Sequence, residues 1–443
     1  MPKITIIMPS LNVVKYIRPC INSVLRQTMQ DIEILAIDAG STDGTAEILR
    51  EYALKDRRIH LFHTENKSYG YQVNIGLEQT SGEYIGIVET DDMIAENMYE
   101  VLYQTAKADE LEYVKCGYTL FVELDNGTWW NQPGGICIGN RKMLGKIISP
   151  KSMPELAIQD YYLWAGIYHR DFLKNVRLSE TPGAAFQDIG FIYQVLSTAD
   201  RAMYLDDNFY FYRQTKGNSS YNKNGFQYLL REYANVEMLL PQKSEVWRQA
   251  CYERMLRQIV GRFQKMAIGG EYWEDITNAL QMLQDKMKQA QSAGVFKPEK
   301  LSKDNQIIYY KLLNNPKEIF EDEYAVIASK LRNLYALLED VGDRKVVIFG
   351  CGSCGKYIHI LLETYRKGQT CAFCDNNKLL WNTVVQGVEV IEPKQVVKDY
   401  PDAQYVIASK KVEDISIQLL ELGIGKKQIC TYECDYDLKL LMM

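Results

Sequence analysis

The sequence predicts an α/β fold in which a long helical segment separates two α/β segments. In the first hundred residues, short apolar stretches such as "KITIIMPS", "IEILAID" and "EYIGIVE" alternate with stretches of helical spacing. Such alternation with short links is typical of a parallel sheet covered on both faces. Amphipathic segments dominate residues 226–340, and "RKVVIFGCGSCGKYIHILLETY" then starts a second strand–turn–helix series. We therefore predict three domains, 1–225, 226–340 and 341–443.

The individual elements follow from the spacing of apolar residues along the chain. In the first domain we predict four strands with helices between them, then strands at "EYVKCGYTLFVEL" and "NFYFYRQ" and a helix at "IGFIYQVLSTA". In the second domain we predict helices at "LLREYANVEMLL" and "EVWRQACYERMLRQIVGRFQKMA". The charged stretch "LLNNPKEIFEDEY", broken by Asn and Pro, is expected to precede the last of these helices.

Composition excludes some classes of protein. The 443 residues are 47% hydrophobic and 24% charged, with a net charge of -6. An acidic chain of this kind is not a bulk nucleic-acid binder, since such a protein needs a basic face. No apolar stretch approaches the roughly 18 residues of a membrane-spanning helix, and "MPKITIIMPSLN" does not resemble a signal peptide. We expect a cytoplasmic protein whose ten cysteines are reduced.

Polar residues follow three of the predicted parallel strands at their carboxyl ends. These are the turn from Pro9 to Asn12, Asp38, and the group from Glu89 to Asp92. Ligands of parallel α/β sheets bind at this edge. Three carboxylates within four positions also raise one another's pKa unless a cation joins them. The alternative is a polar turn whose acids begin the next helix, where the helix dipole favours them.

A series of short motifs, in order, gives the first domain a family resemblance. It comprises the Pro9–Asn12 turn, "DAGSTDGT", "NKSYGYQVNIGL", "ETDD", "WAGIYHRDFL", "FQDIGF" and "FYFYRQTKGNSS". Together these resemble the family 2 glycosyltransferases of the GT-A fold, over residues 1 to about 225. The resemblance implies a GT-A nucleotide-sugar-binding domain. Departure of the diphosphate needs positive charge, which a divalent ion usually supplies.

The resemblance assigns the acids after the fourth strand to donor and metal binding. It makes Asp91 the main ligand of Mn²⁺ or Mg²⁺, and Asp92 its neighbour or a second ligand. Glu89 would face the ribose or a metal-bound water, although the family usually has Asp there. Asp38 would accept a hydrogen bond from the base, commonly uracil, beside Pro9 and Asn12 of the donor site. One residue departs from the usual pattern, since Ala39 stands where the family often has a second Asp. Asp43 is expected to be structural and to cap the next helix.

The resemblance also names a catalytic base, Asp188, in the pair Gln187-Asp188, where the family usually has Glu-Asp. A hydroxyl that attacks the anomeric carbon must lose its proton, and Asp188 would take it. The alternative is a simple helix N-terminal acid. Other assigned side chains have structural alternatives of about equal weight. Trp164 would lie either beside the sugar or acceptor, or in the hydrophobic core. Arg213 would either contact the diphosphate or face solvent.

Two further residues of these motifs, Ser219 and His169, are also assigned. Ser219 falls with Arg213 in the segment that closes over the donor in the family. His169 is one of four histidines, and we interpret it as structural.

The third domain begins with Gly350-Cys351-Gly352-Ser353-Cys354-Gly355, and Asp375 follows twenty residues later. A G-x-G-x-x-G turn between a strand and a helix indicates a Rossmann-like domain, with or without a bound nucleotide. The spacing of Cys351-x₂-Cys354 and Cys371-x₂-Cys374 also matches a zinc ribbon. However, the first pair lies within the glycine turn and the second within a strand, so small buried thiols are the preferred interpretation.

The resemblance predicts an inverting, metal-assisted transferase. It would move a sugar from a nucleotide-sugar donor to a hydroxyl of a glycan, lipid-linked glycan or cell-surface polymer. The resemblance implies that this donor is a UDP-sugar. Membrane contact at the inner face and self-association stay open, and no nucleic acid is expected as a partner. One rival, a nucleotidyltransferase, would need a basic Gly-rich loop after the first strand, which "MPSLNVVKY" lacks. The other rival is a non-catalytic nucleotide-sugar-binding or scaffold protein of a polysaccharide assembly system.

Overall fold

The computed structural model describes residues 2–123, 129–135, 138–183, 185–214, 224–269, 272–434, 436 and 440. Contacts divide the chain into two compact units. The first comprises the described residues within 1–120, 132–213 and 217–320, and the second those within 121–131, 214–216 and 321–443. The predicted boundaries at 225 and 340 stay predictions. None of the described helices combines the length and the hydropathy needed to cross a membrane.

The strands of the first sheet alternate with helices at the start of the chain, as predicted. The strands are β1 (Ile4–Ser10), β2 (Ile32–Asp38), β3 (Ile59–His63), β4 (Tyr84–Ile87), β5 (Met93–Ile94), β6 (Tyr113–Glu123), β7 (Trp129–Gly135), β8 (Gly166–His169) and β9 (Ala202–Arg213). The helices among them are α1 (Ile17–Leu25), α2 (Thr45–Lys55), α3 (Tyr69–Gln79), α4 (Met98–Ala108) and α5 (Asp188–Leu196).

The described strands of this sheet lie in the order β3-β2-β1-β4-β8-β6-β9-β5, with β7 beside β6. The first four of these neighbours are parallel, whereas β8 runs antiparallel to β4 and to β6, and β5 antiparallel to β9. Every residue of β1 is buried, because helices cover both faces of the central strands. The predicted α/β fold class is confirmed.

The two faces of the sheet belong to different hydrophobic clusters. Ile4, Ile6 and Met8 of β1 pack with α1 and α4 on one face. On the other face, Ile7 shares a cluster with α3, α5 and several later helices. Those helices are α6 (Gly225–Glu237), α7 (Glu245–Gly269), α8 (Trp273–Ser292), α9 (Lys303–Asn314) and the start of α10 (Pro316–Val341). The predicted helical segment therefore contributes to the core beneath the sheet.

The helix α10 corrects one predicted boundary. The stretch "LLNNPKEIFEDEY" was expected to precede the last helix, but α10 begins at Pro316 and includes "KEIFEDEY". Proline is well suited to the first turn of a helix, because the N–H group that it lacks would have no partner within the helix. Only Asn315 separates α10 from α9.

The second sheet has the order β12-β13-β11-β10-β14-β15. Its strands are β10 (Val346–Phe349), β11 (Thr370–Cys374), β12 (Val384–Val385), β13 (Val388–Ile391), β14 (Gln404–Ile407) and β15 (Ile429–Thr431), with helices α11 (Ser353–Tyr365), α12 (Pro393–Asp399) and α13 (Val412–Glu421). Apart from β12 against β13, the strand pairs are parallel. The parallel strands have the 3-2-1-4-5 order of dinucleotide-binding folds.

The glycine turn that follows β10 depends on its glycines. Gly350 has φ +117°, and a Cβ on Gly355 would lie 1.9 Å from the carbonyl oxygen of Gly350. The carboxylate of Asp375 accepts a hydrogen bond from the backbone N–H of Cys351 at 2.9 Å. Asp375 therefore holds the turn closed from the end of the neighbouring strand. Nucleotide binding by this turn stays a prediction.

A disulfide bond joins Cys354 to Cys434. The expectation that the cysteines are reduced is wrong for this pair, and Cys354 is not available to the predicted zinc set. Cys351 and Cys374 are buried thiols, in agreement with the interpretation of small core residues. Cys137 lies outside the described residues.

A buried ion pair fixes the chain next to β6. The ammonium group of Lys115 lies 2.5 Å from Asp160 Oδ1 and 2.7 Å from Oδ2, and both side chains are shielded from solvent. The hydroxyl of Tyr204 also donates to Asp160. Removing one partner of such a pair leaves an uncompensated buried charge.

We predict that Lys115→Met lowers the free energy of unfolding by about 3–5 kcal/mol. Urea unfolding of the full chain, followed by circular dichroism, measures this loss. The double variant Lys115→Met/Asp160→Leu should recover much of it, because no charge is then left unpaired. The control is Lys55→Met, whose exposed pair with Glu51 should contribute less than about 1 kcal/mol. Equal losses for Lys115 and Lys55 would contradict the prediction.

Candidate active site

Three strand ends bring the predicted polar residues to one edge of the first sheet. Ser10 of β1 stands opposite Asp38 of β2 in the parallel register. On the other side of β1, the backbone N–H of Val88 donates to Ile7 O, so the acids after β4 follow directly. Thr90 fixes their position, because its hydroxyl donates to Pro9 O at 2.8 Å. The sequence therefore predicted this meeting of residues correctly.

Asp38 and Asn12 organise a single turn. The Asp38 carboxylate accepts from the backbone N–H groups of Gly40 and Ser41, at 3.1 and 3.2 Å. Asn12, with φ +54°, accepts from Thr42 N through its side-chain oxygen, and its own N–H donates to the Ser41 hydroxyl, both at 2.9 Å. These bonds hold the turn against the end of β1. Whether Asp38 contacts a base stays a prediction.

Asp43 has a structural set of contacts. One carboxylate oxygen accepts from the backbone N–H and the hydroxyl of Thr45, and the other accepts from Val14 N. It thus ties the start of α2 to the segment before α1. This arrangement agrees with the interpretation of Asp43 as a capping residue.

Glu89 lies at the centre of the acidic group. The hydroxyl of Tyr69 donates to its carboxylate at 2.5 Å. Removal from water raises the pKa of Glu89 to about 8, the bond from Tyr69 opposes this rise, and the charges of Asp91 and Asp188 add to it. Glu89 therefore links the acids after β4 to Asp188, although Asp188 is distant in sequence.

Asp91 and Asp92 have different environments. Asp92 is 0% exposed, and its two oxygens accept from the Tyr210 hydroxyl at 2.8 Å and from Arg213 N at 2.7 Å. Asp91 is only partly buried. Burial raises the pKa of both carboxyl groups; the positive charge of Arg213 opposes this for Asp91, while the charge of Asp91 reinforces it for Asp92. Asp91 is thus the more accessible of the two to an incoming ligand.

The residues that follow β4 do not begin a helix, because α4 starts only at Met98. The alternative in which these acids serve the dipole of the next helix is therefore wrong. Asp91 and Glu89 offer hard oxygen ligands, the type that Mg²⁺ and Mn²⁺ prefer. Within the described residues, no cluster of three or more His, Cys, Asp or Glu side chains has the geometry of a metal site.

Arg213 and Trp164 are both interior residues. Arg213 is 2% exposed; its Nε donates to Asp91 O at 2.6 Å, and its guanidinium group lies 4.8 Å from the ring centre of Tyr16. The solvent-facing alternative for Arg213 is wrong. Trp164 stacks on Tyr210 with ring centres 4.2 Å apart, so it supports the residue that binds Asp92. Ser219 lies outside the described residues.

The predicted base, Asp188, is the first residue of α5. Phe186, with φ +73°, makes the sharp turn that leads into the helix. Burial raises the pKa of Asp188, and the positive charges of Arg254 and Lys265 oppose that rise. Asp188 is therefore both a helix N-terminal acid and a member of the acidic group, so the two interpretations from sequence are compatible.

Gln187 holds Asp188 in place through a network that the sequence did not reveal. Its side-chain oxygen accepts from Gly70 N at 2.9 Å, at the start of α3. Its amide nitrogen donates toward Ser179 O at 2.8 Å and Thr181 O at 3.1 Å, and also lies 3.1 Å from the Ser68 hydroxyl. A carboxylate could not donate any of these bonds.

The comparisons with known proteins now add to this geometry. Residues 5–176 match the model of glycosyl transferase family 2. The first part of the chain therefore contains a glycosyl transferase family 2 region. The matched region covers the strand ends and the acids that follow β4. Two of the motifs that suggested the resemblance, "FQDIGF" with Asp188 and "FYFYRQTKGNSS" with Arg213, lie beyond it.

Curated relatives of this chain are named as glycosyltransferases. It is 29% identical over 217 residues to glycosyltransferase GlyG of Streptococcus pneumoniae, which is 48% of this chain and 71% of GlyG. It is 29% identical to EpsJ of Bacillus subtilis, over 48% of this chain and 61% of EpsJ. It is 27% identical to YibD of Escherichia coli, over 57% of this chain and 77% of YibD.

The fold is shared with solved structures. Residues 1–349 of S. aureus TarS, in complex with UDP-GlcNAc, align with a TM-score of 0.53 at 18% identity. The complex of the same protein with UDP aligns with a TM-score of 0.52. Each alignment covers 74% of this chain and 91% of the TarS chain. This likeness supports the GT-A fold of the chain.

We predict that Gln187→Glu destabilises the first compact unit of the chain. The carbonyl oxygens of Ser179 and Thr181 would lose their donor, and a further acid would be buried beside Asp188. The loss should be at least about 2 kcal/mol, the usual cost of unsatisfied buried polar groups. Urea unfolding at pH 7.5 measures it. Gln289→Glu, on the exposed face of α8, is the matched control and should change stability by less than about 0.5 kcal/mol. An unchanged stability of Gln187→Glu would show that the network contributes little.

Proposed function

We propose that this protein is an inverting glycosyltransferase that moves a sugar from a UDP-sugar to a hydroxyl group of a glycan or cell-surface polymer. The observation that carries this proposal is the first turn of α3, where the Tyr69 hydroxyl binds Glu89 and the N–H of Gly70 binds Gln187, the residue before Asp188. This connection supports a shared role for the acids after β4 and Asp188, whose charges also act on one another.

The nucleotide part of the donor would bind at the turn held by Asp38 and Asn12. This edge of the sheet is where parallel α/β folds bind nucleotides. The complexes of TarS with UDP and UDP-GlcNAc, on a similar fold, support a uracil nucleotide. Pro9, whose carbonyl oxygen is held by Thr90, would keep the turn and the acids in register during binding.

Asp91 would hold Mn²⁺ or Mg²⁺ together with the donor phosphates, with Glu89 close to the ribose or the ion. The ion would supply positive charge to the departing diphosphate. A site with one or two carboxylates suits Mg²⁺, which usually keeps waters and phosphates among its ligands. Asp92, predicted as a second ligand, has both oxygens bound within the protein, so we propose that it instead positions Arg213 and β9.

Asp188 would take the proton of the acceptor hydroxyl as the oxygen forms its bond to the anomeric carbon. The bond from that carbon to the diphosphate breaks, and its electron pair leaves on the phosphate oxygen. A base on the face opposite the leaving group gives inversion, and proton removal of this kind typically contributes 10²–10⁴-fold in rate. Arg213 and Trp164 would stabilise the surroundings of Asp91 and Asp92.

The departures from the usual family pattern support an enzyme over a scaffold. Ala39 is buried, and its N–H donates to Ser10 O at 3.0 Å. Glu89 has its own hydroxyl donor in Tyr69, and Gln187 uses its whole amide group. Each substituted residue thus has contacts that suit it. A decayed site would not be expected to keep such partners around Asp91 and Asp188.

We predict that Asp91→Asn abolishes metal-dependent release of nucleoside diphosphate from the donor, while Asp188→Asn slows sugar transfer at least about 10²-fold and retains donor binding. The measurement uses a panel of UDP-, GDP-, CDP- and dTDP-sugars with Mn²⁺, Mg²⁺ or chelator, and calorimetry for donor affinity. Asp171→Asn, at an exposed position, should behave as the unaltered protein. Absence of both turnover and metal-dependent nucleotide binding would favour the scaffold.

A further inference from the structure

Two helices outside the family match bring charged side chains to the proposed base. Arg254, on α7, is 1% exposed, and its three guanidinium nitrogens have no hydrogen-bond partner among the described residues. Its guanidinium group lies 5.1 Å from the ring centre of Tyr161. Arginine stays protonated in proteins, and a buried charge without a partner is costly. Packing alone therefore does not explain Arg254.

Glu232, on α6, approaches the same region. It is 3% exposed, and its carboxylate accepts from Gly190 N in the first turn of α5 at 3.2 Å and from the Ser179 hydroxyl at 2.5 Å. A Cβ on Gly190 would lie 2.7 Å from Glu232 Oε1, so glycine is what allows this approach. Glu232 is thus fixed two residues from Asp188.

Asp188 interacts electrostatically with charged or titratable groups on several neighbouring elements. They are Arg254 and Lys265 of α7, Glu232 of α6, Tyr69 of α3 and Glu89 after β4. Tyr69 and Glu89 bind each other, whereas Arg254 has no such partner. Arg254 is therefore the buried cation whose charge is available to Asp188.

We propose that α6 and α7 complete the base site, with Arg254 and Glu232 acting as opposed positioning residues that set the ionisation of Asp188. This inference rests on the proposed function. Arg254 favours the carboxylate that can accept a proton, and Glu232 disfavours it. Burial raises the pKa of Asp188 and Arg254 lowers it, while Glu232, whose own pKa is raised to about 7 by burial and by Asp188, loses its charge as the pH falls.

The test is the pH dependence of kcat/KM for sugar transfer, whose acidic limb reports the base of the free enzyme. Arg254→Met should move this limb to higher pH and slow transfer at pH 6 at least about tenfold, with partial rescue in Arg254→Lys. Glu232→Gln, which keeps an oxygen acceptor for Gly190 N, should move the limb to lower pH. The matched control is Arg257→Met, on the exposed face of α7 beside Glu253, which should leave the limb unchanged.

The outcomes separate this inference from the proposed function. Shifts of the acidic limb in opposite directions in the two variants would support this inference. Loss of packing alone would lower the rates of both variants, but it would not shift their acidic limbs in opposite directions. Thermal unfolding of each variant shows whether it is folded. If the unaltered protein transfers sugar and its acidic limb is the same in folded Arg254→Met and Glu232→Gln, this inference is wrong and the transferase stands. If the unaltered protein releases no nucleoside diphosphate from any donor, both fail.

Discussion

The burial of acidic side chains at the carboxyl edge of the first sheet constrains the rest of the site. Asp92 is buried, and Glu89 and Asp188 are half-buried. The charges of neighbouring acids raise the pKa of Glu89 and of Asp92. The fold compensates with specific donors rather than with solvent. Tyr210 and Arg213 N satisfy Asp92, and Tyr69 satisfies Glu89. Part of the negative charge remains for a ligand to neutralise.

This constraint explains why β9 ends where it does. Arg213 is its last residue, and both its backbone N–H and its Nε are directed at the acids, the first at Asp92 and the second at Asp91 O. Tyr210, on the same strand, reaches Asp92 with its hydroxyl and Glu89 N with its oxygen. One strand thus holds the segment after β4 in place, and Trp164 supports that strand from the side by stacking on Tyr210.

Local patterns were enough to predict the parallel sheet and the edge at which its polar residues meet. The apolar stretches that form β1, β2 and β4 have clear ends in the sequence. Because these strands are parallel, their direction alone places Asp38 and Asp91 at the same edge of the sheet. The partners of these acids could not be predicted in this way. Gln187 bonds to Gly70 across 117 residues of sequence, and the contact depends on how α5 packs against α3. Arg254 resembles any other residue of an amphipathic helix until burial shows that it lacks a partner.

The replacement of Glu by Gln at position 187 has a consequence for the base. A carboxylate beside Asp188 would add to the negative charge of Glu89, Asp91 and Glu232, and would favour the protonated form of Asp188 at neutral pH. The neutral amide avoids this effect and supplies the donors that bind Ser179 O and Thr181 O. With one acid fewer, the buried guanidinium group of Arg254 acts against a smaller negative charge. The same substitution thus holds the turn before α5 and favours the ionised form of Asp188, which a base requires.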